Sequence, residues 1–169
     1  MIPKITGINN MVDLFKEVMR VGMIANFEND GSLDPIIFFL KAGKPVIIRI
    51  PDFMFSSQKA KAMISNAIRL LTHQPDVTVA GIITEAWGVK LNSDNENELV
   101  ESLKRGEKQV RDLEEKQDII IMVFSTPEKE ELIGYKVDCE NKKVCEEFTE
   151  SEANSCGGLF SNFFSWNRN

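Results

Sequence analysis

Glu85 is the residue whose surroundings in the sequence could most readily support chemistry. It follows the apolar run of residues 77–83 and stands two residues before Trp87. If Glu85 shares the buried face of that run, burial raises the pKa of its carboxyl group toward the range used in general acid catalysis. If the strand leaves the core near Thr84, Glu85 is solvated or paired with Lys90. We expect the second arrangement, with Glu85 as a polar group at the rim of a sheet and Trp87 sealing its end.

A divalent metal site is the second chemistry that the carboxylates allow. Asp30 and Asp34 lie in the turn-rich stretch ENDGSLDP, and a metal-dependent hydrolase or nuclease would gather Glu85 with either of them around the ion. The nuclease pattern also needs a lysine two residues beyond the strand carboxylate, where this sequence has Trp87. The stretch lacks the EF-hand ligand spacing, so an Asp-Gly turn is the simpler interpretation. We predict no metal, no cofactor and no catalytic residue, with the metal-dependent hydrolase as the alternative.

Cysteine and histidine give no further support for catalysis. Cys139, Cys145 and Cys156 form no C-x-x-C pair, and His73 is the single histidine, whereas a metal site of this type needs about four ligands. We expect reduced thiols or, as the alternative, a disulfide between Cys139 and Cys145 across a hairpin. No G-x-S-x-G motif is present to support a hydrolase triad.

The net charge of -6 and the lack of any long apolar run argue against two classes of partner. Broad binding to phosphate backbones needs a basic surplus that releases counterions, and a membrane-spanning helix needs about 20 apolar residues. The first residues show no secretory signal pattern. We therefore expect a cytoplasmic protein that binds neither nucleic acid nor membrane.

Two amphipathic helices must position these residues. The first follows Asn10, a residue type that caps helices, and the second follows Ser56 or Ser57. Apolar residues recur in both at the spacing that places them on one helix face, so we predict that these faces are buried. In the first helix they are Met11, Leu14, Phe15, Val18 and Met19; in the second they are Ala60, Met63, Ile64, Ala67, Ile68 and Leu71.

The strands come as hairpins around one central strand. Residues 36–50 form two apolar runs joined at a Lys41–Lys44 turn, with Pro45 suited to an edge strand. A strand, a helix and a further strand in that order predict a crossover and at least one parallel pair. Residues 92–117 predict a polar surface helix, and the remaining strands close the sheet. We predict an α+β domain over residues 1–149, a mixed sheet of about five or six strands with two or three helices packed on it.

Residues 150–169 form an aromatic tail behind an acidic link. Spacing puts its large apolar residues on one helical face, as in peptides that dock into a partner's groove. The alternatives are that the tail covers an exposed face of its own sheet, or that it contacts a membrane. We assign partner binding to Leu159, Phe160, Phe163, Phe164 and Trp166.

Four segments are similar in order and spacing to a group of small bacterial and phage proteins: DGSLDPIIFFL, SSQKAKAMISNAI, ITEAWGVK and EKQDIIIMVFS. In that group a D-G-x-x-x-P strand entry and a strand ending in E-A-W precede a further apolar strand, and no activity is attached to it. The resemblance covers residues 28–137 and leaves the tail outside. It implies that residues 85–87 belong to the framework of the domain, and that Asp30, Gly31 and Pro35 shape the entry of the first strand.

These observations favour binding over catalysis. We expect a non-enzymatic protein-binding or structural module, associated with a phage or mobile element, that docks a protein partner or a second copy through its aromatic tail. The runner-up is the metal-dependent hydrolase or nuclease that would use Glu85 with Asp30 or Asp34.

Overall fold

A computed structural model describes residues 8–89, 96–150, 160 and 163–164 of the chain. Its helices are α1 (Met11–Asp30), α2 (Asp52–Phe55), α3 (Gln58–Leu71) and α4 (Glu96–Lys104), with a short 3-10 turn at Val110–Asp112. Its strands are β1 (Ile36–Lys41), β2 (Lys44–Arg49), β3 (Val77–Gly88), β4 (Gln117–Ser125), β5 (Glu130–Asp138) and β6 (Lys143–Glu150).

The six strands form one sheet in the order β2-β1-β3-β4-β5-β6, and every neighbouring pair is antiparallel. The predicted α+β class and strand number are confirmed. The predicted parallel pair is wrong, because β1 lies between β2 and β3 and pairs with both. The crossover through α3 therefore skips one strand position. Strands β2 and β3 run in the same direction without touching.

Local sequence explains the ends of these elements. Asn10 caps α1 by accepting a hydrogen bond from the Asp13 amide at 2.9 Å, and Ser57 caps α3 in the same way. The β1–β2 turn has positive φ at Ala42 and Gly43, as a two-residue type I′ turn requires. This turn fixes the register of the first hairpin, in which Lys41 faces Lys44.

Each face of the sheet carries its own core. On one face α1 packs over the sheet, and the Phe38 ring lies 5.7 Å from Phe15 and 5.8 Å from Phe124. On the other face α3 packs over the same strands together with two residues of the C-terminal tail. The second core consists of Ile37, Phe39, Ile50, Ile68, Val77, Ala80, Ile82, Val123, Phe163 and Phe164.

The buried face of α1 differs from the predicted one. Phe15 and Met19 are buried as expected, but Met11, Leu14 and Val18 are 57%, 42% and 57% exposed. The buried stripe continues instead through Met23, Ile24 and Phe27. The buried face is therefore set by the C-terminal half of the helix, and the predicted apolar stripe is divided between core and solvent.

The buried face of α3 is also rotated from the predicted one. Ile68 and Ser65 are fully buried, whereas Met63 is 64% and Leu71 is 38% exposed. The small Ser65 lets the helix approach the sheet where a larger residue would hold it away. The prediction placed Met63 and Leu71 inward because they share the apolar stripe of α3, whereas the face that is buried is shifted from that stripe toward Ser65.

Among the helices that the structure describes, none combines the length and the apolar character that crossing a membrane requires.

Candidate partner-binding surface

Two residues of the aromatic tail lie inside the chain's own second core. Phe163 and Phe164 are 0% and 1% exposed, and the Thr72 hydroxyl donates a hydrogen bond to the Phe163 carbonyl oxygen at 2.6 Å. Phe160 is half-buried and stacks on Phe55, with ring centroids 5.4 Å apart. A partner could reach Phe163 or Phe164 only by displacing them from the core.

The remaining two tail residues assigned to partner binding, Leu159 and Trp166, lie outside the described residues. The tail residues that are described have a clear structural reason for their position. Helix α3 covers only part of the second face, and the two buried phenylalanines extend that cover toward Val123 and Leu132 of the β4–β5 half. Phe163 and Phe164 thus complete the cover of this face beside α3.

Glu85 lies at the rim of the sheet, near the end of β3. Its carboxylate accepts a hydrogen bond from the Leu33 amide at 2.7 Å. Burial raises the pKa of Glu85, and the neighbouring carboxylates of Asp118 and Asp52 raise it further, against the lowering effect of the Leu33 hydrogen bond. Trp87 is 50% exposed, with the Lys116 ammonium 5.2 Å from its ring centroid.

Asp30 and Asp34 line a shallow cleft beside Glu85. Asn26, Ser32 and Arg49 belong to the same cleft, and the Arg49 guanidinium lies 3.4 Å from the Asp34 carboxylate. The fold therefore brings Glu85 and Asp34 to one end of the sheet, because Glu85 is hydrogen-bonded to the Leu33 amide and Asp34 is the next residue in the chain. Within the described ranges, no three side chains of His, Cys, Asp or Glu are arranged to hold a metal ion.

The edge strand β2 has the most exposed apolar side chains of the sheet. All six of its residues are exposed, and Val46, Ile47 and Ile48 retain 39%, 57% and 45% of their accessible surface. Val46 and Ile48 are the register partners of Phe39 and Ile37. Because those partners belong to the second core, Val46 and Ile48 face the α3 side and extend that core to the edge.

Helix α2 adds two exposed apolar residues directly after β2. The Ile50 amide donates a hydrogen bond to the Pro35 carbonyl oxygen at 2.8 Å, which holds the chain at the end of the strand. The helix follows at once, with Phe53 77% and Met54 46% exposed. We call Val46, Ile47, Ile48, Phe53 and Met54 the β2–α2 surface.

Positive charge borders this surface. The ionisable residues of the β1–β2 hairpin that flank it are Lys41, Lys44 and Arg49, all cationic. Lys41 lies 3.9 Å from Asp76, and the Arg49 side chain, although paired with Asp34, is still 73% exposed. Strand β2 is therefore apolar in its centre with a cationic residue at each end, and Asp52 adds a carboxylate at the start of α2.

The sequence predicted the hairpin and the edge position of Pro45, but did not identify this surface. Alternating exposure is the usual sign of a half-buried strand, and the run of Val46, Ile47 and Ile48 resembles a buried one. The usable signal was the combination of Pro45 with cationic residues at both ends of the run, since charge and proline are typical of sheet edges.

Comparison of the chain with protein-family models, with curated proteins and with solved structures finds no match.

Proposed function

We propose that this chain is a protein-binding module and that its β2–α2 surface contacts the partner. The observation that carries the proposal is the exposure of five large apolar side chains along an edge strand and the helix that follows it. Single exposed apolar residues are common, whereas a group of them indicates an interaction site. Val46 and Ile48 face the α3 side and Ile47 the α1 side, so the exposed apolar residues lie on both faces of the edge strand. The proposal moves the main contact from the tail, whose Phe163 and Phe164 already serve the chain's own core, to the edge of the sheet.

The size of the surface fits a moderate affinity. Full burial of one such side chain stabilises a complex by about 1.5–3 kcal/mol, and these residues are roughly half exposed, so each would contribute about 1 kcal/mol. The sum of about 5 kcal/mol must exceed the entropy lost on association. Backbone hydrogen bonds or a second contact from the tail would therefore be needed for tight binding.

Paired charge substitutions at the two sheet edges test the proposal. Ile47→Lys places a charge on β2 between Val46 and Ile48, on the side of the sheet that faces α1 because Ile47 is the register partner of Phe38. Thr149→Lys places the same charge at an exposed position of β6 on the same side of the sheet, because Thr149 is the register partner of Ile133. The immobilised full chain is used to capture partners from its native cells, and each captured protein is purified and titrated by calorimetry. We expect Ile47→Lys to abolish binding that Thr149→Lys retains. Equal binding by both variants would place the interface elsewhere.

The metal-dependent hydrolase is the second candidate, favoured by the raised pKa of Glu85 beside a cleft lined by Asp30 and Asp34. Calorimetry with Mg²⁺, Mn²⁺ and Zn²⁺ on the wild type and on Glu85→Gln tests it. Micromolar binding that the substitution abolishes would support the hydrolase. Absence of such binding in the wild type would exclude a resident metal of these three kinds.

A further inference from the structure

Resting on the proposed function, we infer that the ligand of the β2 edge is an extended strand with apolar residues at its centre and acidic residues at its ends. It would lengthen the six-stranded sheet by one strand beyond β2. Three features carry this inference: the backbone groups of the edge, the apolar side chains beside them, and the sign of the flanking charges.

The backbone of β2 presents hydrogen-bonding groups on its outer side. Among the strands that the structure describes, β1 is the single neighbour of β2. The two-residue turn makes Lys41 and Lys44 a hydrogen-bonded pair, so alternate residues from Pro45 onward direct their backbone groups away from β1. Ile47 and Arg49 then offer both N–H and C=O to the outer side, while Pro45 offers its carbonyl alone. An added strand would bind to these groups.

The side chains beside this edge determine which residues the added strand should carry. Val46 and Ile48 lie on the α3 side, with Phe53 and Met54 exposed just beyond the strand. Successive residues of a strand point to opposite faces. Alternate residues of the ligand would therefore meet Val46 and Ile48, and apolar residues at these alternate positions bury the most surface.

The charges select an acidic partner over a second copy of β2. Strand β2 has Lys44 at one end and Arg49 at the other, with no acidic residue between them. Pairing two β2 strands antiparallel about Ile47 would bring Arg49 of each copy beside Pro45 and Lys44 of the other, and like charges at facing positions destabilise a sheet. A carboxylate at each end of the ligand would instead pair with Lys44 and with the exposed guanidinium of Arg49.

A set of capped six-residue peptides tests the inference on the full chain labelled with ¹⁵N. The first peptide is Glu-Val-Thr-Val-Thr-Glu, the second has Lys at both ends, and two further peptides are N-methylated on one or the other set of alternate amides. We expect the acidic peptide to shift the Ile47 and Arg49 amide signals at millimolar concentration. We expect about tenfold weaker binding for the Lys peptide. The peptide methylated on the amides that face β2 should bind about tenfold more weakly, and the peptide methylated on the other set should bind with unchanged affinity.

The outcomes separate this inference from the proposed function. If Ile47→Lys abolishes binding of a purified native partner but the peptides leave the Ile47 and Arg49 amides unchanged, strand addition is wrong and the protein-binding function stands. If the peptides bind but Ile47→Lys retains the native partner, the proposed function is wrong. Sedimentation of the chain without peptide supplies the last arm, since a dimer that Ile47→Lys dissolves would make a second copy the occupant and overturn the inference.

Discussion

The two edges of the sheet are built differently. At the β6 edge, the Arg20 guanidinium of α1 lies 3.1 Å from the Glu147 carboxylate and 3.0 Å from the Tyr135 hydroxyl, and Lys16 pairs with Glu131 of β5 at 3.1 Å. At the β2 edge, the central residues are apolar and exposed, and the ion pairs to Asp34 and Asp76 lie at its ends.

The difference shows how one sheet can have two kinds of edge. We call the β6 edge, with its charged residues and packed helix, the closed edge, and the β2 edge, with its exposed apolar centre, the open edge. Charged residues and a covering helix are the usual means by which proteins protect an edge from unwanted pairing. Strand β6 has both, since Glu146 and Glu147 lie on it and α1 is ion-paired to it. Strand β2 has Pro45 and terminal charges only. The exposed apolar centre of β2 therefore lacks the protection against strand pairing that β6 has.

The largest effect should separate a phenylalanine in the second core from one at the open edge. Phe163→Ala removes a fully buried ring and should lower the free energy of unfolding by about 3–5 kcal/mol through lost burial and a residual cavity. Phe53→Ala is the matched control, because a ring that is 77% exposed contributes little to stability. Chemical denaturation measures both. Similar, small effects would mean that the tail does not complete the core.

The next largest effect concerns the ion pairs of the closed edge. Arg20→Ala leaves Glu17, Tyr135 and Glu147 without their shared donor, and the remaining polar groups are partly buried. We expect the free energy of unfolding to fall by about 2–4 kcal/mol. This is less than the usual cost of breaking a buried ion pair, because Glu147 is partly exposed. Lys129→Ala, which removes an exposed pair to Glu131, is the control. A change of equal size in both variants would show that α1 does not fasten β6.

A glycine beneath an aromatic ring should give an intermediate effect at the same edge. A Cβ at Gly134 of β5 would lie 2.0 Å from the ring of Phe148 on β6, so Gly134→Ala must push that ring outward. We expect a loss of about 1–3 kcal/mol in thermal or chemical unfolding. Adding Phe148→Ala should remove most of the penalty, because the clash then has no partner. If the double variant is no better than the sum of the singles, the clash is not the cause.

The closed edge should also depend on pH. Burial alone would raise the pKa of Glu131, but hydrogen bonds from Lys16 and Lys129 more than offset it and lower that pKa below its ordinary value of 4.5. A lowered folded-state pKa stabilises the fold above the unfolded value, and this contribution is lost as pH falls through the folded value. Lys16→Met should therefore cost about 0.5–1 kcal/mol at neutral pH and progressively less in acid.

Unfolding titrations of the wild type and Lys16→Met between neutral pH and acid measure that difference. Glu85 acts in the opposite direction, because its raised pKa destabilises the fold as pH rises through the folded value. Its contribution is common to both proteins and cancels in the difference. A difference that stays constant with pH would show that Lys16 acts through packing rather than through Glu131.

The smallest effect on stability should come from the open edge. Ile47→Lys replaces a side chain that is 57% exposed, and exposed substitutions usually change the free energy of unfolding by less than about 0.5 kcal/mol. Thr149→Lys on β6 is the equal-charge control. Denaturation curves of the two should nearly coincide with that of the wild type. A marked loss in Ile47→Lys would mean that the edge supports the fold and is not reserved for a partner.

Sequence patterns predicted the local features well. The Asn10 cap and the Lys41–Lys44 turn were identified, and the second cap was narrowed to Ser56 or Ser57, because capping and turn formation depend on residues close together in the chain. The lateral order of the strands was not predictable in the same way. Nothing local to β2 or β3 records that β1 lies between them, so the crossover was misread as evidence of a parallel pair.

The buried and exposed faces of the helices could not be predicted for a second physical reason. Both long helices have apolar residues beyond the face that is buried, and tertiary packing chose Phe27 over Val18 in α1 and Ile68 over Met63 in α3. The cis position of Phe163 and Phe164 was one of the alternatives that the tail sequence left open. Spacing describes which residues share a face, but the neighbour that the face meets is decided by the rest of the fold.

The burial of Phe163 and Phe164 has a consequence for the order in which the protein assembles during synthesis. Among the residues that the structure describes, the first core includes none beyond Val144, whereas the second includes Phe164, twenty residues further along the chain. Translation proceeds from the N-terminus, so the α1 side of the sheet can close while the α3 side still lacks part of its cover. For that interval Val123 and Leu132 face solvent or a chaperone. The nascent chain therefore has an exposed apolar face that is buried in the complete chain.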